Sequence, residues 1–151
     1  MEMTDLIQTI VLFITILGLI YTIYHNRKQL ENFNEEMKLN LFADYTKRYQ
    51  EIMLQLPYEI NKKDFDYSLL SDKKKYRILK YMQAYFDLCS EEYDLYQNRF
   101  LSDEVWKNWE EGIKNALSKK AYRDAWREIE FDTIYYPDFT KYINKIISKF
   151  G

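Results

Sequence analysis

The chain has 151 residues, of which 47% are hydrophobic and 30% charged, with a net charge of −2. This balance is typical of a folded protein and excludes a disordered one. With only 3 Gly and 2 Pro, hairpin-rich β folds are disfavoured and long helices are expected. The single Cys excludes an intramolecular disulfide and fits a reducing compartment.

Charge is distributed unevenly along the chain. All 22 Lys and Arg follow Tyr24, and Glu2 and Asp5, which precede that point, account for the whole net charge of −2. The remainder is formally neutral, so electrostatics give no reason to expect nucleic-acid binding.

Leu6 to Tyr24 is an apolar run without a single charge. A helix rises about 1.5 Å per residue, so this run matches a hydrocarbon core of roughly 30 Å. It predicts one transmembrane helix within residues 1–24. Arg27 and Lys28 follow the run and no basic residue precedes it, which predicts a single-pass protein of the cell inner membrane with its N-terminus outside and its C-terminal domain in the cytoplasm. A cleaved signal peptide is disfavoured because it lacks a basic start and a small-residue cleavage pattern.

One face of this predicted membrane helix carries small and polar side chains: Gln8, Thr15, Gly18 and Thr22. Their spacing near 3.5 residues lets helices approach closely and hydrogen-bond within lipid. The stripe predicts self-association, and hence a homo-oligomer. The alternative is that Thr and Gly are ordinary residues of a membrane helix and that Gln8 is solvated near the outer surface.

No helix breaker lies between Tyr24 and Leu56, so the membrane helix is expected to continue as a mostly polar juxtamembrane stalk over residues 25–38. A cytoplasmic helical domain is expected over residues 39–151. Pro57 should end the first helix at Leu56, because the residue before Pro disfavours helix. Residues 58–70 have no clear period and predict a loop with short turns, partly held by Phe65, Tyr67 and Leu69.

Helical periodicity predicts four further helices. The second runs from Asp72 to about Asn98 after a Ser71 cap, and the third begins after a Ser102 cap. A short fourth helix spans the region of residues 122–129, an irregular stretch covers 131–136, and the last helix starts at Pro137. The predicted fold is therefore all-α, with an N-terminal transmembrane helix continuing into a small cytoplasmic helical bundle of about five helices.

Glu92 is an unusual position in the second helix, since it projects into the apolar arc that also contains Cys89. A buried carboxylate needs a partner or a shifted pKa. Arg48 is the first choice of partner, with Arg99 and Arg127 as alternatives. The pattern predicts a structural ion pair between Arg48 and Glu92, or alternatively a ligand pocket or acid–base site there. Cys89 is expected to be an unreactive packing residue.

The last helix alternates apolar residues with a basic face formed by Lys141, Lys145 and Lys149. Such a face is usually only solvated. It also fits a helix lying on the inner leaflet, whose anionic lipids attract lysines.

Several kinds of catalytic and metal site are missing from the sequence. The three Gly are isolated, so no phosphate-binding loop exists. His25 and Cys89 alone cannot form a zinc or iron site, and a catalytic triad would depend on His25 at the membrane border. Carboxylates such as Asp87 and Glu91 are expected on solvated faces. The chain is therefore predicted not to be an enzyme and to need no cofactor.

Three stretches carry a resemblance to other proteins: Phe42 to Tyr49; Tyr85 to Tyr96 with Cys89, Glu91 and Glu92; and Val105, Trp106 and Trp109 with Ala125 and Trp126. Together they resemble a loose set of uncharacterised bacterial proteins with an N-terminal membrane helix and a small helical cytoplasmic domain. The resemblance spans most of the cytoplasmic part. It rests on aromatic packing residues, so it implies an architecture but no activity or site.

Two functions are compatible with these features. The first is a membrane-anchored interaction module that recruits or senses a protein partner at the inner membrane face. The alternative is a signal- or ligand-gated oligomeric effector that perturbs the bilayer, as in some bacterial antiviral systems. Leucine at Gln8, Thr15 and Thr22 should discriminate between them, because only the effector needs the stripe.

Overall fold

A computed structural model describes residues 3–132, 135 and 137–150. Within these residues all regular structure is helical: α1 (Met3–Met53), α2 (Asp72–Gln97), α3 (Asp103–Leu117), α4 (Lys120–Asp132) and α5 (Pro137–Ile147). Two 3₁₀ turns, Tyr58–Asn61 and Tyr67–Leu69, lie between α1 and α2. The all-α class predicted from the scarcity of Gly and Pro is confirmed.

Helix α1 runs without interruption through the predicted stalk and ends at Met53, three residues before the predicted end at Leu56. The intervening residues form a turn in which the Gln55 N–H donates to the Ile52 carbonyl at 3.1 Å and the Leu56 N–H to the Met53 carbonyl at 3.2 Å. The tightening begins ahead of Pro57 because a proline restricts the backbone of its predecessor.

The chain divides into two compact units, Met1–Ala43 and Asp44–Gly151. The sequence predicts the helical domain to start at residue 39, and the division falls a few residues later, within α1. In the first unit, α1 is the one helix of the described chain that is long and apolar enough to cross a membrane, and none of its most apolar window is buried.

The second unit has a core of its own, with α2 at its centre and α3, α4 and α5 packed against it. Phe86 of α2 and Trp126 of α4 are completely buried, with ring centroids 4.9 Å apart. The Trp126 Nε1–H donates to Asn144 Oδ1 at 2.8 Å, which joins α4 to α5. This aromatic packing gives a small domain bulk in its interior.

The helix ends differ in how they are capped. Ser102 Oγ accepts a hydrogen bond from the Val105 N–H at 3.4 Å, as its position before α3 predicts, whereas the Ser71 side chain makes no capping bond to α2. After α2, Arg99 adopts a left-handed conformation with φ 62°. The Phe100 N–H then reaches the Leu95 carbonyl at 2.9 Å, which closes the helix end in the manner usually served by glycine.

The loop and the stretch before α5 depart from expectation in part. Tyr67 is buried as predicted, but Leu69 is 83% exposed and does not hold the loop. Helix α4 continues to Asp132, into the stretch 131–136 that was predicted to be irregular. Residues 133, 134 and 136 of that stretch lie outside the described residues.

Candidate functional site

A pocket of about 260 Å³ lies in the second unit, between the last turns of α1, the middle of α2 and α3. Its wall is mainly aromatic. Tyr45 and Tyr49 come from α1, Tyr85 from α2 and Trp109 from α3, and these four rings are called the aromatic wall below. The one ionisable carboxyl among the lining residues is that of Glu92.

Helical spacing explains why these residues meet. Residues three or four apart share a face of a helix. On α2 the lining residues follow this rule over two turns: Tyr85, Leu88, Cys89 and Glu92. The helical stripe that contributes to the core therefore also places Glu92 in the pocket.

Glu92 is a buried residue whose carboxyl group opens on the pocket and is not fully enclosed by the core. Glu92 is only 8% exposed, and across the described residues its carboxylate takes part in no hydrogen bond or ion pair. Burial raises the pKa of Glu92 to about 8; the positive charge of Arg48 opposes this and the negative charge of Glu91 adds to it. At neutral pH the group is therefore mostly protonated and uncharged.

Arg48 pairs with Glu91, so the predicted ion pair with Glu92 is wrong by one residue. Arg48 Nη1 lies 2.7 Å from Glu91 Oε2 and Nη2 lies 3.1 Å from Oε1. The Tyr45 hydroxyl also donates to Glu91 Oε2 at 3.1 Å. Glu91 was expected on a solvated face, and it remains half-exposed there.

The physical reason is hydration. A charged pair formed at the rim keeps contact with water, whereas a pair formed at Glu92 would lose the hydration of both groups. The guanidinium of Arg48 holds the pKa of the Glu91 carboxyl below its usual range, against the opposing effect of burial.

Neither alternative partner, Arg127 or Arg99, forms an ion pair with Glu92 in the described structure. Arg127 Nη1 lies 3.2 Å from Asp124 Oδ1 on its own helix, and Arg99 forms the left-handed residue that ends α2.

The aromatic wall continues into the core through ring contacts. Tyr45 stacks on Trp109 with centroids 5.5 Å apart and planes 21° apart. The ring centroid of Tyr49 lies 6.4 Å from that of Tyr85, and the Tyr85 centroid lies 5.3 Å from that of Tyr122. Burial raises the pKa of Tyr45 to about 12. These phenols therefore stay protonated at any physiological pH.

Cys89 and Gly112 also line the pocket, beside the aromatic wall. Cys89 is 1% exposed, and burial raises the pKa of its thiol well above the usual value. Such a thiol is an unreactive packing group. A Cβ built at Gly112 meets nothing within 4 Å, so no close contact requires glycine there. Gly112 lines the pocket, so the absent side chain leaves space in its wall.

Two hydroxyl groups of the stripe on α1 form hydrogen bonds within the helix itself. Thr15 Oγ1 donates to the Val11 carbonyl at 2.9 Å and Thr22 Oγ1 to the Gly18 carbonyl at 2.8 Å. These hydroxyls therefore need no partner from another helix. A Cβ built on Gly18 meets nothing within 4 Å, and Gln8 is exposed, so this chain leaves the stripe open.

Lys141 and Lys145 of the predicted basic face are exposed on α5, and Lys149, which is also exposed, lies two residues beyond the end of the helix. Lys141 Nζ lies 3.2 Å from Asp138 Oδ1. The opposite, apolar face of α5 is buried in the core through Phe139, Ile143 and Ile146. A lipid surface could then meet α5 through its lysine side chains, because the apolar face that would enter the headgroup boundary is already packed in the core.

Metal binding finds no support in the described part of the chain, where no group of three or more His, Cys, Asp and Glu side chains is arranged to hold an ion. Comparisons with protein-family models, with curated proteins and with solved structures found no match to this chain.

Sequence reasoning found Glu92 but missed the aromatic wall around it. Tyr45 and Tyr49 are four residues apart on α1, which indicates that their rings share one face of the helix. This spacing does not show which other helix that face would contact.

Proposed function

We propose that this chain is a bacterial membrane-anchored interaction module. In this proposal α1 crosses the cell inner membrane once with its N-terminus outside, and the helical domain recruits or senses a protein partner on the cytoplasmic side. The observation that carries the proposal is the uncovered apolar part of α1. Leu12, Phe13 and Leu17 are each at least 60% exposed, although residues 44–151 bury a core of their own.

An apolar helix of this length is unstable in water. Contiguous exposed apolar patches on soluble monomers rarely exceed a few hundred Å². Burial of apolar surface is worth roughly 25 cal/mol per Å², so a bilayer stabilises such a segment strongly. Arg27 and Lys28 on its C-terminal side support the inward orientation of the domain.

The lysine face of α5 supports a second, weaker contact with lipid. Each Lys near an anionic surface contributes about 1 kcal/mol. For a domain that is already anchored, such an attraction is enough to bias its orientation against the inner leaflet.

Anchoring is tested with the full chain carrying a C-terminal green fluorescent protein, which fluoresces only in the cytoplasm. We expect fluorescent cells and a protein that stays in the membrane pellet after alkaline carbonate extraction. Leu12→Lys with Leu17→Lys should move it to the supernatant, since each Lys at the centre of a membrane helix costs about 2.5–3.5 kcal/mol. The control, Gln29→Lys with Asn32→Lys, adds the same charge beyond the apolar run and should stay in the pellet.

Two outcomes contradict the anchoring proposal. If the double-lysine variant remains in the pellet, the apolar run is not the anchor. If the protein stays in the membrane pellet but the cells do not fluoresce, the C-terminal domain lies outside the cytoplasm and the proposed orientation is wrong.

Recruitment is tested by placing a photo-crosslinking residue at Tyr76, which is 72% exposed on α2. A discrete adduct with one other protein, lost when Leu12→Lys and Leu17→Lys release the chain from the membrane, supports recruitment. Adducts with copies of the same chain alone, or no adduct, count against it.

The second candidate function is a signal- or ligand-gated oligomeric effector that perturbs the bilayer, with antiviral defence as one setting. Two features of α1 favour it. The helix carries an open stripe at Gly18, and its last turns supply Tyr45 and Tyr49 to the pocket.

The effector is tested by growth and dye leakage after induced expression. Leucine at Gln8, Thr15 and Thr22 should abolish both effects, whereas Thr9→Leu should not, because Thr9 lies about 100° or more from the stripe. Harmless accumulation of the unmodified chain favours the anchored interaction module.

A further inference from the structure

The pocket in the second unit has a distinct chemical character. Its walls combine one carboxyl, that of Glu92, with the four rings of the aromatic wall, and none of the described residues lining it is Lys, Arg or His. The nearest cation in the ion-pair network, Arg48, is held by both carboxylate oxygens of Glu91. The pocket itself therefore has an acidic group without a counterion.

Glu92 is the feature that calls for a ligand. It is more than nine-tenths buried, it lines an open cavity, and within the described chain it forms no ion pair or hydrogen bond. Its carboxyl oxygens keep some accessible surface in the cavity, since no fully buried side-chain nitrogen or oxygen of the described residues lacks a partner. A ligand that supplies a positive charge or a strong donor could therefore reach this carboxyl group and pair with it.

The aromatic wall favours the same kind of ligand. The face of an aromatic ring is electronegative, and a cation held within about 6 Å of the ring gains roughly 0.5–2 kcal/mol. The pocket offers an anion no Lys, Arg or His side chain, and above about pH 8 the ionised Glu92 would repel it. A purely apolar ligand would leave Glu92 without a partner.

We propose that this pocket binds a small organic cation, an amine or quaternary ammonium ion, between the Glu92 carboxylate and the aromatic wall. The volume of about 260 Å³ suits a ligand at or below the small end of the usual range of ligand pockets. This inference goes beyond the proposed function, because it requires neither the membrane nor a protein partner.

Binding should be linked to proton release. In the empty pocket burial raises the pKa of Glu92 to about 8, so a cation must displace a proton below that pH. Affinity for an ion of fixed charge should rise by up to about tenfold per pH unit below 8 and level off above it.

Other groups near Glu92 do not titrate in that range. The pKa values of the surrounding phenols and thiol are all raised, and Arg48 stays paired with Glu91; from α3 the lining contributes no ionisable group. The groups considered are Tyr45, Arg48 and Tyr49 on α1, Tyr85, Cys89 and Glu91 on α2, and Tyr122 on α4.

The test is calorimetric titration of the full chain in non-ionic detergent with choline and with tetraethylammonium. The neutral isostere of choline, 3,3-dimethylbutan-1-ol, serves as the matched ligand. At a pH about half a unit above 8 we expect at least one cation to bind roughly tenfold or more tighter than the isostere, and this advantage to shrink about tenfold or more at a pH near 6.5.

Two variants identify the residues responsible. Glu92→Gln keeps the shape of the protonated side chain and should fold normally, but should weaken cation binding about tenfold or more and remove its pH dependence. Tyr49→Leu, at a ring that is 45% exposed, should weaken it several-fold. The control Glu111→Gln removes one charge from an exposed site on α3 and should bind like the unmodified chain.

The proposal is overturned if neither cation binds, if the isostere binds as tightly as choline, or if Glu92→Gln binds as the unmodified chain does. None of these outcomes affects the anchoring test, because the binding measurement contains no bilayer.

Discussion

At the scale of single residues, Glu92 couples the stability of the fold to pH. Its carboxyl has a usual pKa of 4.5, and burial raises the pKa of Glu92 in the folded chain to about 8. Between these values the unfolded chain loses the proton while the folded chain keeps it. The stabilisation is complete below about pH 4.5 and is lost progressively as the pH rises to about 8.

Glu92→Gln should remove this dependence. The free energy of unfolding of the unmodified chain should fall relative to the variant by up to about 1.4 kcal/mol per pH unit between pH 5 and 8. Urea titrations of the full chain in detergent measure this through tryptophan fluorescence, because Trp106, Trp109 and Trp126 all lie within residues 44–151.

Glu111→Gln is the control for a general charge effect. Its free energy of unfolding should change with pH in parallel with that of the unmodified chain. Parallel curves for Glu92→Gln as well would mean that Glu92 titrates normally in the fold.

At the scale of elements, the Arg48–Glu91 ion pair joins the end of α1 to α2, and the stack of Tyr45 on Trp109 joins it to α3. The Arg48 guanidinium reaches both oxygens of Glu91 and also lies 5.0 Å from the centre of the Tyr45 ring. The Tyr45 ring stacks on Trp109 of α3. The ion pair is more than one-third exposed on each side, so water screens it and its contribution is modest.

A double-mutant cycle of Arg48→Gln and Glu91→Gln should give a coupling energy of about 0.5–1 kcal/mol at low salt, which falls as salt is added. The cycle is best made in a Glu92→Gln background. There a released Arg48 cannot pair with the Glu92 carboxylate, so that one rearrangement no longer contributes to the measured coupling.

A coupling energy near zero would mean that the Arg48–Glu91 pair adds no stability, and that packing of the rings holds α1 to α2 and α3. A coupling that salt does not reduce would indicate a pair more buried than the structure gives.

At the scale of the whole molecule, the chain combines an uncovered apolar helix with a unit that carries its own core. The cluster of buried core residues runs from Leu56 to Ile146. Within the described residues, none of 3–43 belongs to it. The folded unit should therefore not depend on the apolar segment for its stability.

Deletion of residues 1–35 should leave a water-soluble protein that unfolds cooperatively, with near-UV circular dichroism like that of the full chain in detergent. A longer deletion, of residues 1–48, removes Tyr45 and Arg48 and should lower the melting temperature by several degrees, since about 1 kcal/mol shifts a domain of this size by roughly 4–8 °C.

If the shorter deletion instead aggregates or melts without cooperativity, the apolar segment is part of the fold, and the division of the chain near residue 43 does not describe its stability.

Local sequence determined the helices of this protein well. Periodicity placed α2 within one residue of its observed end, Ser102 marked the start of α3, and Pro137 the start of α5. The uncharged run from Leu6 to Tyr24 identified the one helix, among the residues that the structure describes, that is long and apolar enough to span a membrane. These features depend on neighbours three or four residues apart, which a single sequence contains in full.

Tertiary structure alone decided which side chains meet across helices. The sequence predicted that Glu92 points inward, because burial follows from helical phase. It misassigned Arg48 to Glu92, because Glu91 and Glu92 differ by only about 100° on α2 and only the packed rim decides which of them keeps water. The aromatic wall depends on the mutual placement of α1, α2 and α3. Contacts far apart in the chain are set by packing, and no local period encodes them.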